Sequence, residues 1–453
     1  MKKIIYIELR RLTSDRKADN EMEFLGTRYE NLKNAGFLPD SLDAAEYEDL
    51  RHLIVGGWVN ALSFHLDDYE SAVVFITKEN GPFKELDKEV SDNTIFLMSV
   101  MSGNFVQARH VIDYIRENFP DAVIQIGGVH PTLCPEESFN YLQPDYMVVG
   151  EADETIRDLV AAEFERKPYF GDGVWNKGYG VPEVTRSVCH VDNYEWSWEL
   201  HDKYSYPINK NIVNYVSTRS CPFNCHFCGI VKNKFTEMKA EKIIQQLTLL
   251  TEKYQSTWVH WETPCCFYDK TIANEILDGI KGLKLNFSGQ TRVEYPTKNN
   301  VELYGKAVDA GLDNMFLGIE TMQDHVLTSM NKRNKSKAVE PCLQALTDAG
   351  ITINSGWIVG IPGQTADDVK RDIEEAVKLI NKGIMAVALP QYLEIYPGTW
   401  FWNHAKEIGI TLNCDINSYD KISRQIAHRT RELSETDIWN LYSEFLNAVQ
   451  SVI

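Results

Sequence analysis

No run of the 453-residue chain approaches the roughly 20 apolar residues that a membrane-spanning helix requires. The N-terminal stretch MKKIIYIELRRLTSDRKADN is positively charged but lacks the apolar core of a signal peptide. No concentrated basic stretch interrupts a formal net charge of -19, so extended contact with a nucleic-acid backbone is not expected. We therefore predict a cytoplasmic protein that binds neither membranes nor nucleic acids.

Cysteine is scarce in most of the chain, and its nine copies are an odd number spread unevenly. This usage does not suit a secreted disulfide framework, but it does suit a reducing compartment in which thiolates serve metals or chemistry. Outside the segment 221–228 the cysteines are mostly isolated, and the simplest prediction for each is a buried small side chain.

Short β-branched runs alternate with helical patterns, which indicates α/β architecture with parallel strands. The first series of strands and helices predicts a doubly wound, flavodoxin- or Rossmann-like sheet over residues 1–166. Its strands are expected at 3–9, 72–77, 94–100, 122–128 and 146–150, with helices near 25–36, at 104–118 and from 153 onward.

Residues 167–211 do not continue this alternation of strands and helices. They mix glycines with Trp175, Trp196 and Trp198, which predicts a structured linker whose aromatic rings pack against a domain surface.

A second α/β series over 212–400 predicts a partial (β/α)6 TIM-type barrel, with chemistry at the C-terminal strand ends. Residues 401–453 are predicted to be a C-terminal helical segment. The barrel strands are expected near 212–218, 258–262, 285–291, 314–320, 353–360 and 386–395, and helices near 239–253, 270–282, 298–310, 336–349, 366–381 and 435–450.

The motif CPFNCHFC places Cys221, Cys225 and Cys228 directly after the first barrel strand. Structural zinc normally takes four ligands, and nothing nearby supplies a second CxxC pair, although His226 stays open as a fourth ligand. A 4Fe-4S cluster held by three thiolates would keep one iron open to a small molecule. A zinc knuckle or a chance triplet is the alternative.

CxxxCxxC after the first barrel strand resembles the radical S-adenosylmethionine (radical SAM) enzymes. The resemblance implies that the open iron is chelated by the amino and carboxylate groups of SAM, and that one electron cleaves SAM to methionine and a 5′-deoxyadenosyl radical. It also implies an external one-electron donor such as flavodoxin or ferredoxin.

Further barrel segments resemble the SAM-binding parts of this superfamily. GIET at 318–321 implies that Glu320 hydrogen-bonds the SAM ribose, and GWIVGIPGQT implies that the backbone of Gly360, Pro362 and Gly363 approaches adenine. By the same resemblance Arg292 would bind the SAM carboxylate and Glu262 its amino group. A buried Glu320 without such a partner would be a costly charge.

The stretch WETPCCF departs from the pattern of the superfamily because Cys265 and Cys266 lie just past the expected SAM region. Adjacent thiols rarely ligate one ion together. Metal ligation, hydrogen-atom donation and plain packing all remain open for this pair.

Residues 94–155 resemble the cobalamin-binding domain that precedes the barrel in one radical SAM class, through SVMSGN, IQIGGVHPTLCPEE and DYMVVGEADET. The resemblance implies that the nucleotide tail of cobalamin lies against Ser99, Ser102, Gly127 and Gly128. His130 and Glu151 would then lie near the domain interface.

The D-x-H-x-x-G loop, which supplies a cobalt-binding histidine in methionine-synthase-type domains, is missing from the chain. His130 is therefore expected to be a loop hydrogen-bonder rather than a cobalt ligand. Methylthiotransferases also carry an α/β domain before the barrel, but theirs has three cluster cysteines. This chain has only Cys134 before the linker, which disfavours that class.

Together these resemblances imply a cobalamin-dependent radical SAM enzyme that transfers a methyl group from methylcobalamin to a substrate carbon. A non-methylating cyclisation or rearrangement is the alternative, with cobalamin or with an N-terminal sheet that serves only as an interaction module. A non-enzymatic iron-sulfur or zinc protein is a third hypothesis. The expected substrate is a small molecule.

Overall fold

The structure is a computed structural model that describes residues 2–10, 56–78, 81–179, 186–193, 195–205, 211–230, 235–293, 301–423 and 425–452. The helix predicted near 25–36 lies outside these residues. The described chain forms two parallel sheets, each flanked by helices, and the first sheet precedes the second along the chain.

The N-terminal sheet is parallel in the order β2-β1-β3-β4-β5, which is the flavodoxin-like order of doubly wound folds, and β6 adds an antiparallel edge. Its strands are β1 (Lys2–Leu9), β2 (Glu70–Ile76), β3 (Asn93–Ser99), β4 (Val123–Gly127), β5 (Tyr146–Val148) and β6 (Val174–Asn176). Its helices are α1 (Gly57–His65), α2 (Lys84–Asp87), α3 (Phe105–Asn118), α4 (Val129–Leu133), α5 (Pro135–Leu142) and α6 (Ile156–Phe164).

The five predicted parallel strands of this domain are all confirmed, because buried parallel strands are continuous apolar runs that stand out in a sequence. Strand β6 was not predicted. It has three residues and belongs to the linker, and only its pairing with β5 makes it a strand. In the same linker, Trp196 and Trp198 are buried and stack with ring centroids 5.7 Å apart, so the packing prediction for them is confirmed.

The strands of the second sheet are β7 (Ile212–Tyr215), β10 (Trp258–Trp261), β11 (Asn286–Arg292), β12 (Leu312–Glu320), β13 (Thr352–Val359) and β14 (Val387–Tyr392). These six strands are parallel and lie in sequence order, with β7 and β14 at the two edges, and they form the predicted partial barrel. The connecting helices are α8 (Ala240–Glu252), α9 (Lys270–Ile280), α10 (Val301–Asp309), α11 (Asp324–Ser329), α12 (Val339–Asp348) and α13 (Ala366–Asn381). A short pair, β8 (Thr218–Arg219) and β9 (Thr236–Glu237), brackets the cysteine loop, and α7 (Glu199–Tyr204) precedes the barrel.

Side-chain caps explain where several barrel helices begin. Thr365 and Asp368 form a capping box at the start of α13, and the Asp269 side chain accepts hydrogen bonds from the first turn of α9. These caps satisfy backbone N–H groups that have no partner inside the helix. Both caps belong to strand-to-helix loops, which lie at the C-terminal end of the barrel together with the predicted site residues.

The C-terminal segment returns to the N-terminal sheet. It contains α14 (Trp400–Asn403), the antiparallel pair β15 (Thr411–Leu412) and β16 (His428–Arg429), a 3-10 helix (Ile416–Lys421) and α15 (Glu435–Gln450). Tyr419, Ile422 and Ala427 join the apolar core of the N-terminal domain, while α15 packs on α13 and β14. The segment is therefore only partly helical and contacts both domains. The predicted domain boundaries remain predictions.

Among the residues that the structure describes, no helix is both long enough and apolar enough to cross a membrane.

Candidate functional site

The three cysteines of the motif lie on one loop that follows β8, and each is half-buried. The loop backbone is held by the barrel, because the His226 N–H donates to the Met330 carbonyl at 2.9 Å and the Phe401 N–H donates to the His226 carbonyl at 3.1 Å. Thiols that are only half-buried remain open to a ligand on one side. The loop thus presents three sulfur donors from a fixed backbone.

The His226 side chain contacts residues outside the cysteine loop. Its Nδ1 lies 2.9 Å from the Ser329 carbonyl oxygen, and its ring stacks on Trp400 with centroids 3.8 Å apart. These contacts hold the ring against α11 and α14. The geometry therefore disfavours His226 as a fourth metal ligand.

Arg292 ends β11 beside the cysteine loop. Its Nη1 lies 3.2 Å from Cys225 Sγ, and its guanidinium lies 4.0 Å from the centre of the Phe223 ring. The side chain is largely buried, so its positive charge acts at low effective dielectric on the cysteine loop. Three sulfurs beside a buried cation fit a negatively charged iron-sulfur cluster with three cysteine ligands.

Cys265 and Cys266 are both buried, and burial raises the pKa of the two thiols to about 11 and about 12. Cys265 Sγ lies 3.4 Å from Thr291 Oγ1, and Cys266 Sγ points at the carbonyl oxygens of Trp261 and Thr263 at 3.7 and 3.8 Å. Neutral, hydrogen-bonded thiols of this kind fill space in the barrel core. Of the three possibilities left open by the sequence, packing has the support of these contacts.

Glu320 lies at a bulge of β12 and adopts a φ of +68°, a conformation that non-glycine residues rarely take. Its carboxylate pairs with the Lys332 ammonium group, which also donates to the Gly318 carbonyl at 2.6 Å. Both side chains are buried. The cost of burying Glu320 is therefore offset inside the protein by Lys332, a residue that no sequence motif singled out.

Replacing Lys332 with methionine is expected to destabilise the protein by about 3–5 kcal/mol, because Glu320 would remain as an uncompensated buried charge. Chemical denaturation followed by circular dichroism measures the free energy of unfolding. The double variant Lys332→Met, Glu320→Gln removes both charges and is the control. It should recover a large part of the loss, and an equally unstable double variant would contradict the ion-pair explanation.

The glycine-rich turn after β13 has positive φ at Gly360 (+90°) and Gly363 (+85°). A Cβ on Gly360 would lie 3.0 Å from Ile438 and 3.2 Å from the His428 ring, so that glycine permits close packing of α15. A Cβ on Gly363 would meet nothing within 4 Å, while the Pro362 carbonyl accepts a hydrogen bond from Ser329 Oγ at 3.0 Å. The open side of this turn is therefore at Gly363.

A cavity of about 470 Å³ lies between the C-terminal strand ends of the N-terminal sheet and the mouth of the barrel. This volume is in the range of small-molecule and cofactor sites. From the N-terminal domain its wall includes Ser99, Gln125, Gly127, Gly128, Val129, Thr132, Gly150, Glu151 and Asp153. From the barrel it includes Val216, Thr218, Arg219, Ser220, Glu262 and Pro264.

The two halves of the cavity are joined by an ion-pair network. Arg219 Nη2 donates to both carboxylate oxygens of Asp153 at 3.1 and 3.2 Å, and its Nε lies 3.7 Å from Glu151. Burial raises the pKa of the Glu151 carboxyl, and the Arg219 charge partly opposes this. Glu151 is thus at the domain interface, as predicted. Arg219, two residues before Cys221, was missed, although its charge beside the motif was a usable signal.

Two polar atoms in the cavity wall have no hydrogen-bond partner among the described residues. They are the Gln125 amide oxygen, on β4 of the N-terminal domain, and the Thr218 hydroxyl, on β8 next to the cysteine loop. Buried polar groups are normally paired, so each points to a bound group that the protein alone does not supply. The sequence offered one signal for Gln125, a single amide within the apolar run of β4.

The remaining predicted residues divide between the cavity and its surroundings. The cavity is lined by Ser99, Gly127 and Gly128 and also by Glu262. Desolvation by the surrounding protein raises the pKa of the Glu262 carboxyl. Ser102 and His130 do not line it, because they are buried behind the wall, with Ser102 Oγ 2.9 Å from His130 Nδ1. His130 is therefore a hydrogen-bonder, as predicted, but its position does not suit contact with a ligand in the cavity.

Both domains match family models of known proteins. Residues 215–376 match the family model of the radical SAM superfamily, and residues 57–160 match that of the B12-binding domain. The first match contains the cysteine loop, Glu262, Arg292 and Glu320, and the second contains the glycine-rich ends of β4 and β5.

Two relatives among curated proteins have different activities. Bacteriochlorophyllide d C-8(2)-methyltransferase of Chlorobaculum tepidum is 26% identical over 337 residues, which is 70% of this chain and 69% of that protein. Anaerobic magnesium-protoporphyrin IX monomethyl ester cyclase of Synechocystis is 26% identical over 281 residues, 58% of this chain and 54% of that protein.

Solved structures show that the whole two-domain fold is shared. The radical SAM methyltransferase TsrM from Kitasatospora setae, with cobalamin and a [4Fe-4S] cluster bound, has a TM-score of 0.71 at 13% identity and covers 99% of this chain and 89% of its own. The cobalamin-dependent radical SAM enzyme OxsB, with aqua-cobalamin and SAM bound, also has a TM-score of 0.71, at 15% identity, covering 98% of this chain and 66% of its own.

Proposed function

Because the chain is a radical SAM protein with a B12-binding domain in front of its barrel, we propose that it is a cobalamin-dependent C-methyltransferase acting on a small molecule. The bound groups would supply reductive cleavage of SAM, removal of a substrate hydrogen by the 5′-deoxyadenosyl radical, and a methyl group from methylcobalamin. The protein supplies orientation and exclusion of water.

One observation carries this proposal: the B12-binding domain and the residues that lead into the cysteine loop line one cavity. The glycine-rich ends of β4 and β5 form one wall, and Thr218, Arg219 and Ser220, which lead directly into Cys221, form the other. A reaction that uses two cofactors on one substrate requires both to reach the same space. A cavity with walls from both domains supports such a shared space.

Three groups of residues would hold the cluster, SAM and cobalamin. Cys221, Cys225 and Cys228 would bind the 4Fe-4S cluster, with Arg292 compensating its negative charge at 3.2 Å from Cys225 Sγ. SAM would lie along the barrel mouth, where the ends of neighbouring parallel strands bring Glu262, Arg292, Glu320 and the Gly363 turn to one edge. Cobalamin would lie against Ser99, Gly127 and Gly128.

Arg219 contributes by holding the two walls together. Its contacts with Asp153 and Glu151 cross from the barrel to the N-terminal domain at the edge of the cavity. A fixed separation between the two walls fixes the distance between the cofactors that they hold. A closed wall also keeps water from a reactive radical.

Transfer of the SAM methyl group to bound cobalamin tests the proposal without knowledge of the substrate. Holoenzyme is incubated with reductant and SAM that carries an isotopic label in its methyl group. Label is expected in methylcobalamin, measured by chromatography, together with 5′-deoxyadenosine. Formation of 5′-deoxyadenosine by cobalamin-loaded protein with no label in the cobalamin would overturn methyl transfer.

That negative outcome would instead support a non-methylating cyclisation or rearrangement. Similarity to a magnesium-protoporphyrin ester cyclase is the observation that favours this second candidate. The two candidates share the radical-generating site and differ only in the use of the B12-binding domain. The position of the isotopic label therefore separates them.

We also propose that a flavodoxin or a ferredoxin supplies the electron and that the protein works in the cytoplasm. The cluster chemistry consumes one electron from outside the chain. All nine cysteines are free thiols in the structure, which suits a reducing compartment. Comparing 5′-deoxyadenosine formation with purified flavodoxin and ferredoxin as reductants tests the first point.

A further inference from the structure

A second group of metal-binding side chains lies in the B12-binding domain, outside the cavity wall. His130, Cys134 and Glu137 each place one ligand atom so that the three atoms lie within 4.8 Å of one another. His130 is on α4, Glu137 is in the first turn of α5, and Cys134 is the residue between the two helices. The group combines nitrogen, sulfur and oxygen donors.

The imidazole of His130 is oriented as metal-binding histidines commonly are. It is completely buried, and its Nδ1 lies 2.9 Å from Ser102 Oγ. A proton on Nδ1 can be donated to that hydroxyl, which leaves the lone pair of Nε2 directed toward Glu137. In metal sites, a hydrogen bond at one ring nitrogen typically fixes the tautomer that binds through the other.

The two atoms that face each other across this group are buried, and no hydrogen bond from the described residues satisfies either of them. His130 Nε2 and Glu137 Oε1 are both buried, neither has a hydrogen-bond partner among the described residues, and they lie 3.7 Å apart. That separation exceeds a hydrogen bond. Two ligands bound to a tetrahedral zinc ion at about 2.0–2.1 Å lie about 3.3–3.4 Å apart, so a small movement would accommodate the ion.

The third donor, Cys134, faces the same space from the turn between α4 and α5. Its thiol is half-buried, and its sulfur lies within 4.8 Å of the ligand atoms of His130 and Glu137. Two negatively charged ligands at this place would need a compensating positive charge. A divalent ion supplies that charge and deprotonates a coordinating thiol.

We propose that His130, Cys134 and Glu137 form a zinc-binding site, with a fourth position for water. One imidazole, one thiolate and one carboxylate are the donor types that zinc accepts, and hard ions such as Mg²⁺ prefer oxygen alone. The site is distinct from the three cysteines of the barrel, and it does not depend on the proposed methyl transfer.

The environment of the site indicates what the ion would do. Glu137 Oε2 accepts a hydrogen bond of 3.0 Å from the Tyr419 hydroxyl, and Tyr419 belongs to the C-terminal segment. The His130 ring packs on Phe105 at 4.2 Å and near Tyr419 at 5.6 Å. Zinc would therefore join α4 to α5, fix the carboxylate that Tyr419 contacts, and stabilise the helix that carries Val129 and Thr132 to the cavity wall.

X-ray absorption at the zinc edge tests the site in the holoenzyme, because it is specific to zinc and is not obscured by iron or cobalt. Protein loaded with zinc and desalted against a weak chelator is expected to retain one zinc per chain. The expected shell is one sulfur at about 2.3 Å with nitrogen and oxygen at about 2.0–2.2 Å. Absence of retained zinc would overturn the proposal.

Cys134→Ala should remove the sulfur shell and weaken zinc binding by at least about tenfold. Cys414→Ala is the matched control, since Cys414 is also half-buried and packs against the apolar core of the N-terminal domain. If Cys134→Ala fails to fold, Glu137→Gln replaces a half-exposed side chain with one of the same shape and should also weaken binding at least about tenfold. An unchanged sulfur shell in Cys134→Ala, or unchanged affinity in Glu137→Gln, would contradict the assignment.

Discussion

Replacing Cys225 with alanine is expected to reduce 5′-deoxyadenosine formation to below detection. The motif supplies only three thiolates, and Cys225 is the one paired with Arg292, at 3.2 Å. Its loss would leave two sulfur ligands and an uncompensated buried guanidinium, so the cluster should fail to assemble. Iron and sulfide content after anaerobic reconstitution, with chromatography of SAM cleavage products, measures the effect.

Two control variants make this result specific. Cys414→Ala removes a half-buried thiol outside the barrel and should retain the cluster. His226→Gln changes the residue between the second and third cysteines, whose ring is engaged by Ser329 and Trp400, and should also retain iron. Loss of metal from His226→Gln together with tetrahedral zinc in the wild type would support a zinc knuckle instead. Full iron content and activity in Cys225→Ala would contradict the cluster assignment.

Replacing Ser99 with phenylalanine is expected to lower cobalamin affinity at least about tenfold, which corresponds to about 1.4 kcal/mol. Ser99 ends β3 and lines the cavity beside Gly127 and Gly128. Its hydroxyl lies 2.9 Å from the point where a Cβ on Gly128 would be, so the residues at this wall are already in close contact. An aromatic ring at position 99 has to enter the cavity of about 470 Å³.

Cobalamin content after gel filtration, measured by visible absorption, reports the binding loss. Ser99→Ala keeps the space open and should bind cobalamin nearly as well as the wild type. Iron content and 5′-deoxyadenosine formation should be retained in Ser99→Phe, because the cysteine loop belongs to the barrel. Wild-type cobalamin content in Ser99→Phe would show that the cofactor does not use this wall.

Much of the site was predictable because parallel α/β folds repeat one local unit. The end of each buried strand can be read from an apolar run, and all parallel strand ends meet at one edge. The resemblance to radical SAM segments singled out Glu262, Arg292 and Glu320, the strand pattern predicts a strand end at each, and the structure places each at or just after a strand end. The same reasoning located Ser99 and Gly127 at the edge of the N-terminal sheet.

Contacts between residues distant in the chain were not predictable in this way. Lys332 carries no motif, yet it pairs with Glu320 because α11 is followed by a turn that returns to β12. Arg219 becomes an interdomain residue only when Asp153 of the first domain lies opposite. The C-terminal segment adds Tyr419 to the N-terminal core, although the two are far apart in sequence.

The loop after β4 shows most clearly which features the sequence predicts and which depend on the tertiary structure. Its glycines and its histidine, read in order, predict a ligand-binding loop of a doubly wound sheet, and Gly127 and Gly128 do line the cavity. The sequence cannot say on which side of the loop His130 lies, because that depends on the φ of +108° at Gly128 and on packing against Phe105 and Tyr419. The parallel strands, the helices and the three-cysteine motif follow from local patterns of polarity and spacing. The direction of each polar side chain follows only from the surfaces that the folded chain brings around it.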